Sequence, residues 1–185
     1  CEKGLGKATA GEQLPNLYEF KRNYLTSLKS EEGTRGTVGM PLALGMYELL
    51  PLWHAVFTKL GFNVKVSPMS TRRIYEKGQF SIPSDTACYP AKIMHGHIET
   101  LISDGVDAIF YPCLTYNMDE KMTDNHYNCP VVAYYSELLN GNVEELKRVK
   151  FLYPYLNINS KKELAKELYT YLGKFYNGIT KSEVK

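Results

Sequence analysis

Three of the four cysteines in this chain occupy a repeated local context: Cys88-Tyr89-Pro90, Tyr111-Pro112-Cys113 and Tyr127-Asn128-Cys129-Pro130. Thiolates on loops that a rigid sheet holds in place are suited to ligating a soft metal or an iron–sulfur cluster. The competing reading is inert packing, since free cysteine is among the most buried residue types. Repetition of the context, with His126 three residues before Cys129, favours the site. His126 and Cys129 have the spacing of a zinc-ligand pair, and Cys88 and Cys113 would complete a tetrahedral set. Zinc is therefore the chemical rival of iron–sulfur. Tyr89, Tyr111, Tyr116 and Tyr127 crowd the cysteines, as a shield around a cluster would. With 15 tyrosines in the chain, some of that crowding is chance.

The elements that must position these thiols follow from the hydrophobic pattern. Cys88 stands just ahead of a helix predicted over residues 90–103, where the helix dipole favours a thiolate or an anionic cluster. Cys113 closes a buried strand predicted over 107–111, and in open α/β sheets ligands collect beyond the carboxyl ends of strands. Cys129 precedes a segment, 130–135, that reads as another strand. If that strand is parallel to its neighbour, Cys129 starts at the opposite edge, about 17–20 Å away. Three resolutions remain open: the strand is antiparallel, residues 114–128 fold back over the edge, or Cys129 is not a ligand. His54, His95 and His97 flank apolar stripes and read as hydrogen-bonded packing residues.

Elsewhere, residues 1–14 read as a Gly- and Lys-containing arm. Within it, Gly4-Leu5-Gly6-Lys7-Ala8 fails the phosphate-loop pattern in both glycine spacing and the residue after the lysine. Leu17, Phe20, Tyr24 and Leu28 have helical spacing after Pro15. Strands are predicted over 36–40, 63–67 and 151–156. Pro51 is expected to open a helix that carries Leu52, Val56 and Leu60 and stops at Gly61. A short helix over 71–76 ends at Gly78, and a last helix opens with the capping box Ser160-x-x-Glu163 and runs to about residue 176. Strands alternating with helices predict an α/β, three-layer, Rossmann-like domain with a mostly parallel sheet of four or more strands.

An apolar fraction of 44% and a charged fraction of 23% are those of a soluble globular domain. A formal net charge of +2, with basic and acidic residues interleaved, excludes a nucleic-acid footprint. No apolar run spans a bilayer and no signal-peptide pattern is present, so a cytoplasmic location without membrane contact is expected. In that compartment the cysteines point to metal or redox chemistry rather than disulfides. Cys1 at the start suggests a domain cut from a longer polypeptide, with residues 1–35 as linker and helix and 36–185 as the α/β domain.

Several separated stretches occur in an order that resembles one family. They are Gly39-Met40-Pro41 through Tyr47, Pro51-Leu52-Trp53-His54, Ile82-Pro83-Ser84-Asp85-Thr86-Ala87-Cys88-Tyr89-Pro90-Ala91-Lys92, His95-Gly96-His97-Ile98, Tyr111-Pro112-Cys113 and Asn125-His126-Tyr127-Asn128-Cys129-Pro130. Over roughly residues 36–140 the chain resembles the CoA-substrate-specific enzyme activases, relatives of the 2-hydroxyacyl-CoA dehydratase subunits. Cys1-Glu2-Lys3-Gly4 is similar to the segment that joins this domain to an upstream ATPase part.

In such systems an ATPase drives an electron through iron–sulfur clusters onto a CoA thioester. The resemblance implies a [4Fe–4S] cluster with Cys88 and Cys113 as the first two ligands; in the dehydratases the third comes from a later domain, and here either Cys129 replaces it or the third ligand lies outside this chain. It also implies partners in an ATPase activase part or a dehydratase-like subunit. No ATP-binding motif is present, so ATP hydrolysis and dehydratase turnover by this chain alone are not expected. A zinc-stabilised interaction module and a metal-free domain for a CoA-type ligand are the alternatives.

Overall fold

The computed structural model describes residues 14–30 and 32–184. The N-terminal arm, including Cys1 and the glycine-lysine stretch, lies outside the described residues. Four strands form one parallel sheet in the order β2-β1-β3-β4: β1 (Thr37–Met40), β2 (Asn63–Val66), β3 (Ala108–Phe110) and β4 (Lys150–Leu152). Helix α1 (Leu17–Ser27) precedes β1. Between strands lie α2 (Gly45–Lys59), then α3 (Arg72–Gly78) and α4 (Tyr89–Ser103), then α5 (Pro130–Asn142). Helices α6 (Lys161–Leu172) and α7 (Lys181–Val184) follow β4. The predicted α/β class with a parallel sheet of four strands is what forms.

Side-chain alternation along the strands assigns the helices to faces. Phe110 packs its ring 5.1 Å from Trp53 and 4.7 Å from Phe57, so its face meets α2. Gly39 faces the other way, where a Cβ would come within 3.1–3.2 Å of Leu101 on α4. Ile109 pairs with Gly39, and Tyr111 shares its face two residues on. The sheet is therefore sandwiched between α2 on one side and α4 with α5 on the other. Buried Val38, Met40, Phe110 and Trp53 form its centre.

Three sequence expectations are corrected. Residues 130–135 are the first half of α5 rather than a strand. Val131-Val132-Ala133 reads locally as a β-branched run, yet Ala133, Ser136 and Leu139 are buried at helical spacing, with Cys129 capping and Pro130 in the first turn. Pro51 lies inside α2 rather than opening it. Burial of Met46, Leu50, Trp53 and Phe57 along one face outweighs a proline cost of about 3 kcal/mol. In α1, Leu17, Phe20 and Tyr24 are exposed and Leu25 is the buried residue; Asn16, not Pro15, sets the start by accepting from the amides of Tyr18 and Glu19.

Candidate functional site

Chain direction in β1 and β3 turns away from a common crevice, because β1 connects to β2 on one side while β3 lies on the other. In open α/β sheets that reversal, at the carboxyl ends of the strands, is where ligands bind. Cys113 follows β3 at this edge. Its backbone extends the ladder beyond β4: its amide donates to Pro154 O at 2.9 Å and its carbonyl accepts from Leu156 N at 3.1 Å. Cys113 is thus a fixed point, buried, with its Sγ 3.0 Å from Ser136 Oγ on α5. Burial pushes its thiol pKa up, and the Ser136 hydrogen bond opposes that shift.

Cys88 and Cys129 are both N-cap residues, of α4 and α5, with nearly identical backbone angles (φ −63°, ψ 154° and φ −61°, ψ 152°). Each helix returns from the carboxyl edge to the start of the next strand, so both N-termini lie at the edge that carries Cys113. This removes the placement problem for Cys129, whose segment is a descending helix. The preceding residues 114–128 also fold back, with Tyr116 and Tyr127 bridged antiparallel and Asn128 N donating to Thr115 O at 2.9 Å. Cys88 and Cys129 are exposed; Cys129 Sγ accepts weakly from Val132 N at 3.4 Å, and Cys88 makes no side-chain cap bond.

Two tyrosines tie the three cysteines into one neighbourhood. The Tyr111 hydroxyl is buried, and burial is the first cause of its raised pKa; the charges of Cys113, Tyr135 and Cys129 add to it. Tyr135 on α5 is pushed up to about 12, first by burial and then by Cys88. Tyr155 completes the rim: its hydroxyl donates to Glu137 Oε1 at 2.9 Å, and that bond leads the causes that push it up to about 12. Cys113, Cys129 and Tyr135 therefore act on Tyr111, and Cys88 acts on Tyr135.

His126 stands apart from this arrangement. Its ring packs 5.4 Å from Tyr116 and its charge acts on Asp119. Among the described residues, no group of three or more His, Cys, Asp or Glu side chains is gathered so that it could hold a metal ion. The donor chemistry suits a soft group: three thiols, a largely buried aromatic wall, and at Tyr111 a buried hydroxyl with no hydrogen-bond partner.

The histidines behave as packing residues, with long-range partners that the sequence did not reveal. His95 and His97 on α4 are fully buried, and burial lowers both to about 4. His97 lies 2.7 Å from Ser67 Oγ and 2.9 Å from Ser70 Oγ; Ser67 in turn accepts from Leu42 N at 2.8 Å. That chain fixes the loop after β1, where Leu44 takes the strained angles φ 50°, ψ −139° at the start of α2. His95 lies 2.8 Å from Ser81 Oγ and 3.0 Å from the Tyr135 hydroxyl. Tyr135, Ser81 and Ser136 were missed as site residues: the first was placed in a strand, and the serines carry no local signal.

The family model described as "CoA enzyme activase uncharacterised domain (DUF2229)" matches residues 37–185. No curated protein and no solved structure matches the chain. Among the described residues, no helix is long and apolar enough to cross a membrane.

Proposed function

Since the chain belongs to the family of the CoA enzyme activase uncharacterised domain, we propose that it is an iron–sulfur electron-transfer module of such a protein. In this reading Cys88, Cys113 and Cys129 hold a [4Fe–4S] cluster. The observation that carries the reading is topological: Cys113 follows β3, and Cys88 and Cys129 cap the N-termini of α4 and α5, so all three stand at the carboxyl edge of the sheet. When bound, a cluster of this kind carries one electron at a time. Cys113, fixed by the strand ladder and Ser136, is the rigid ligand. Cys88 and Cys129 sit at helix N-termini, whose dipoles and unpaired N–H groups favour a bound anionic group. Tyr111 and Tyr135, both buried, exclude water from one side.

The other side, where Cys88 and Cys129 are exposed, is where the rest of the activase or a dehydratase-like subunit would cover the site. An acyl group carried as a CoA thioester is the substrate class such a system would reduce.

The test is anaerobic reconstitution of the 185-residue chain, followed by iron, sulfide and zinc analysis. Brown protein with iron and acid-labile sulfide in equal amounts is expected, with most iron lost in Cys88→Ala and Cys113→Ala. Colourless protein holding about one zinc, released by His126→Ala, would replace this reading with the zinc module.

A further inference from the structure

Three buried side-chain polar atoms among the described residues lack a hydrogen-bond partner: Trp53 Nε1, Thr58 Oγ1 and the Tyr111 hydroxyl. The first two belong to α2. Tyr111 alone stands beside the thiols, and it is only 2% exposed. Native folds rarely leave such a group unpaired, because it forfeits its bonds to water and gains none in return. A partnerless hydroxyl at a ligand-binding edge is explained if its partner arrives with the ligand.

Its neighbour Tyr135 cannot fill the same role, for a reason the hydrogen-bond chain makes explicit. Ser81 Oγ lies 3.1 Å from the Gly78 carbonyl oxygen and 2.8 Å from His95 Nδ1. Ser81 has one proton, and the carbonyl can only accept, so Ser81 donates to Gly78 and accepts from His95 Nδ1–H. Neutral His95 then presents an unprotonated Nε2, which accepts a hydrogen bond from the Tyr135 hydroxyl across 3.0 Å. This assignment satisfies Gly78, Ser81, His95 and Tyr135 together. It leaves Tyr135 with only oxygen lone pairs to offer the site. Of these two buried phenols, Tyr111 holds the uncommitted proton.

We propose that Tyr111 donates a hydrogen bond to an acceptor atom of the group held by Cys88, Cys113 and Cys129, with Tyr135, oriented by His95 and Ser81, as the acceptor-only wall beside it. The inference rests on the cluster reading above, and for a cluster the acceptor is a sulfide or a cysteinyl sulfur. Hydrogen bonds to cluster sulfurs help set the reduction potential. The residue is therefore a tuning donor rather than a ligand.

Tyr111→Phe removes the hydroxyl and nothing else, and two readouts separate the possibilities. In the metal-free chain, Tyr111→Phe should melt at a higher temperature than the unsubstituted chain, because an unpaired buried hydroxyl has been replaced by hydrogen. In the reconstituted chain, iron and sulfide content should be unchanged while the reduction potential falls. Tyr135→Phe should do the opposite in the metal-free chain, lowering the melting temperature by stranding His95 Nε2.

A loaded Tyr111→Phe protein with the unsubstituted potential would overturn the donor role while leaving the cluster intact. A metal-free Tyr111→Phe chain that melts at the same or a lower temperature would also overturn it, because the hydroxyl would then already be bonded within the fold. If no variant takes up iron and sulfide, the cluster reading fails. The melting comparison would then still decide whether Tyr111 holds an unspent donor for some other acceptor.

Discussion

His95 and His97 stand two residues apart on one helix, equally buried and equally lowered to about 4 by burial, yet they belong to different kinds of structure. The His97 chain closes on itself: both ring nitrogens meet serines, and Ser67 passes the connection to the backbone of the β1 loop. The His95 chain runs from the Gly78 carbonyl through Ser81 to Tyr135 and stops at the thiols, beside a tyrosine whose hydroxyl has no partner. Identical burial and identical residue type therefore do not distinguish scaffold from site. What distinguishes them is whether the chain of hydrogen bonds ends on the backbone of the frame or on a side chain in the wall of the site.

The largest expected effect breaks both chains at once. Gly96 lies between the two histidines, where α3 crosses α4 so closely that a Cβ would sit 1.7 Å from Ile74 O. The contact is reciprocal, since a Cβ on Gly78 would come within 2.1 Å of Gly96 N. Only glycine permits backbones to approach in this way. Gly96→Ala should cost more than about 4 kcal/mol in urea unfolding, or abolish folding. A loss under about 1 kcal/mol would mean that α3 can lift away, and that the histidines are not held by the crossing.

A smaller effect isolates the closed chain. His97→Ala leaves Ser67 and Ser70 without the ring and opens a cavity, so about 3 kcal/mol of stability should be lost. Acid should probe the same group. The folded histidines titrate near 4 and the unfolded ones near 6.5, so between those values the unfolded chain binds more protons. Stability is complete above about pH 7 and falls as the pH is lowered through that window, by at most about 3 kcal/mol per histidine. His97→Gln, which bonds without titrating, should remove the His97 share of the slope measured by denaturant melts from pH 7 to 4.5, leaving the shares of His95 and His54, which burial also lowers. An unchanged slope would assign the acid sensitivity to other groups.

Much of the frame was legible because its signals are local. Gly61 ends α2 at φ 78°, Ser160 caps α6, and the predicted strands over 36–40, 63–67 and 107–111 lie within a residue or two of those that form. The two Cys-containing helix starts carry a similar Cys and Pro signal, but only the first has a helical pattern directly after it. Pro90 reads as helical, whereas Pro130, followed by Val131 and Val132, reads as a strand. A six-residue apolar window does not separate period 2 from period 3.6, and it was the resulting placement that made Cys129 look stranded at the far edge. The α1 stripe failed differently: spacing establishes an apolar face but says nothing about what covers it. The pairing of Ser81 with His95 and Tyr135, and the lack of any partner for Tyr111, depend on contacts across 14 to 40 residues, which periodicity does not encode.

The smallest expected effect tests whether the open end of the comparison is kept open at a cost to the fold. Serine, asparagine and aspartate are the favoured N-caps, because a short side-chain oxygen accepts well from the first-turn amides. Cysteine stands at both caps facing the site, and the only side-chain bond it makes there is the 3.4 Å contact from Val132 N to Cys129 Sγ. Sulfur is a weak acceptor, so these helices start less firmly than α6, where Ser160 Oγ accepts from Glu163 N. Cys129→Ser should therefore stabilise the metal-free chain by about 0.5–1 kcal/mol, and Cys88→Ser by a similar amount, since the backbone angles of the two caps match. Both substitutions should at the same time abolish retention of iron and sulfide. A gain in stability paired with loss of the bound group marks the thiols as residues held for chemistry. If either serine variant is instead less stable than the unsubstituted chain, that sulfur packs into the fold, and the cap belongs with the closed, structural side of the molecule.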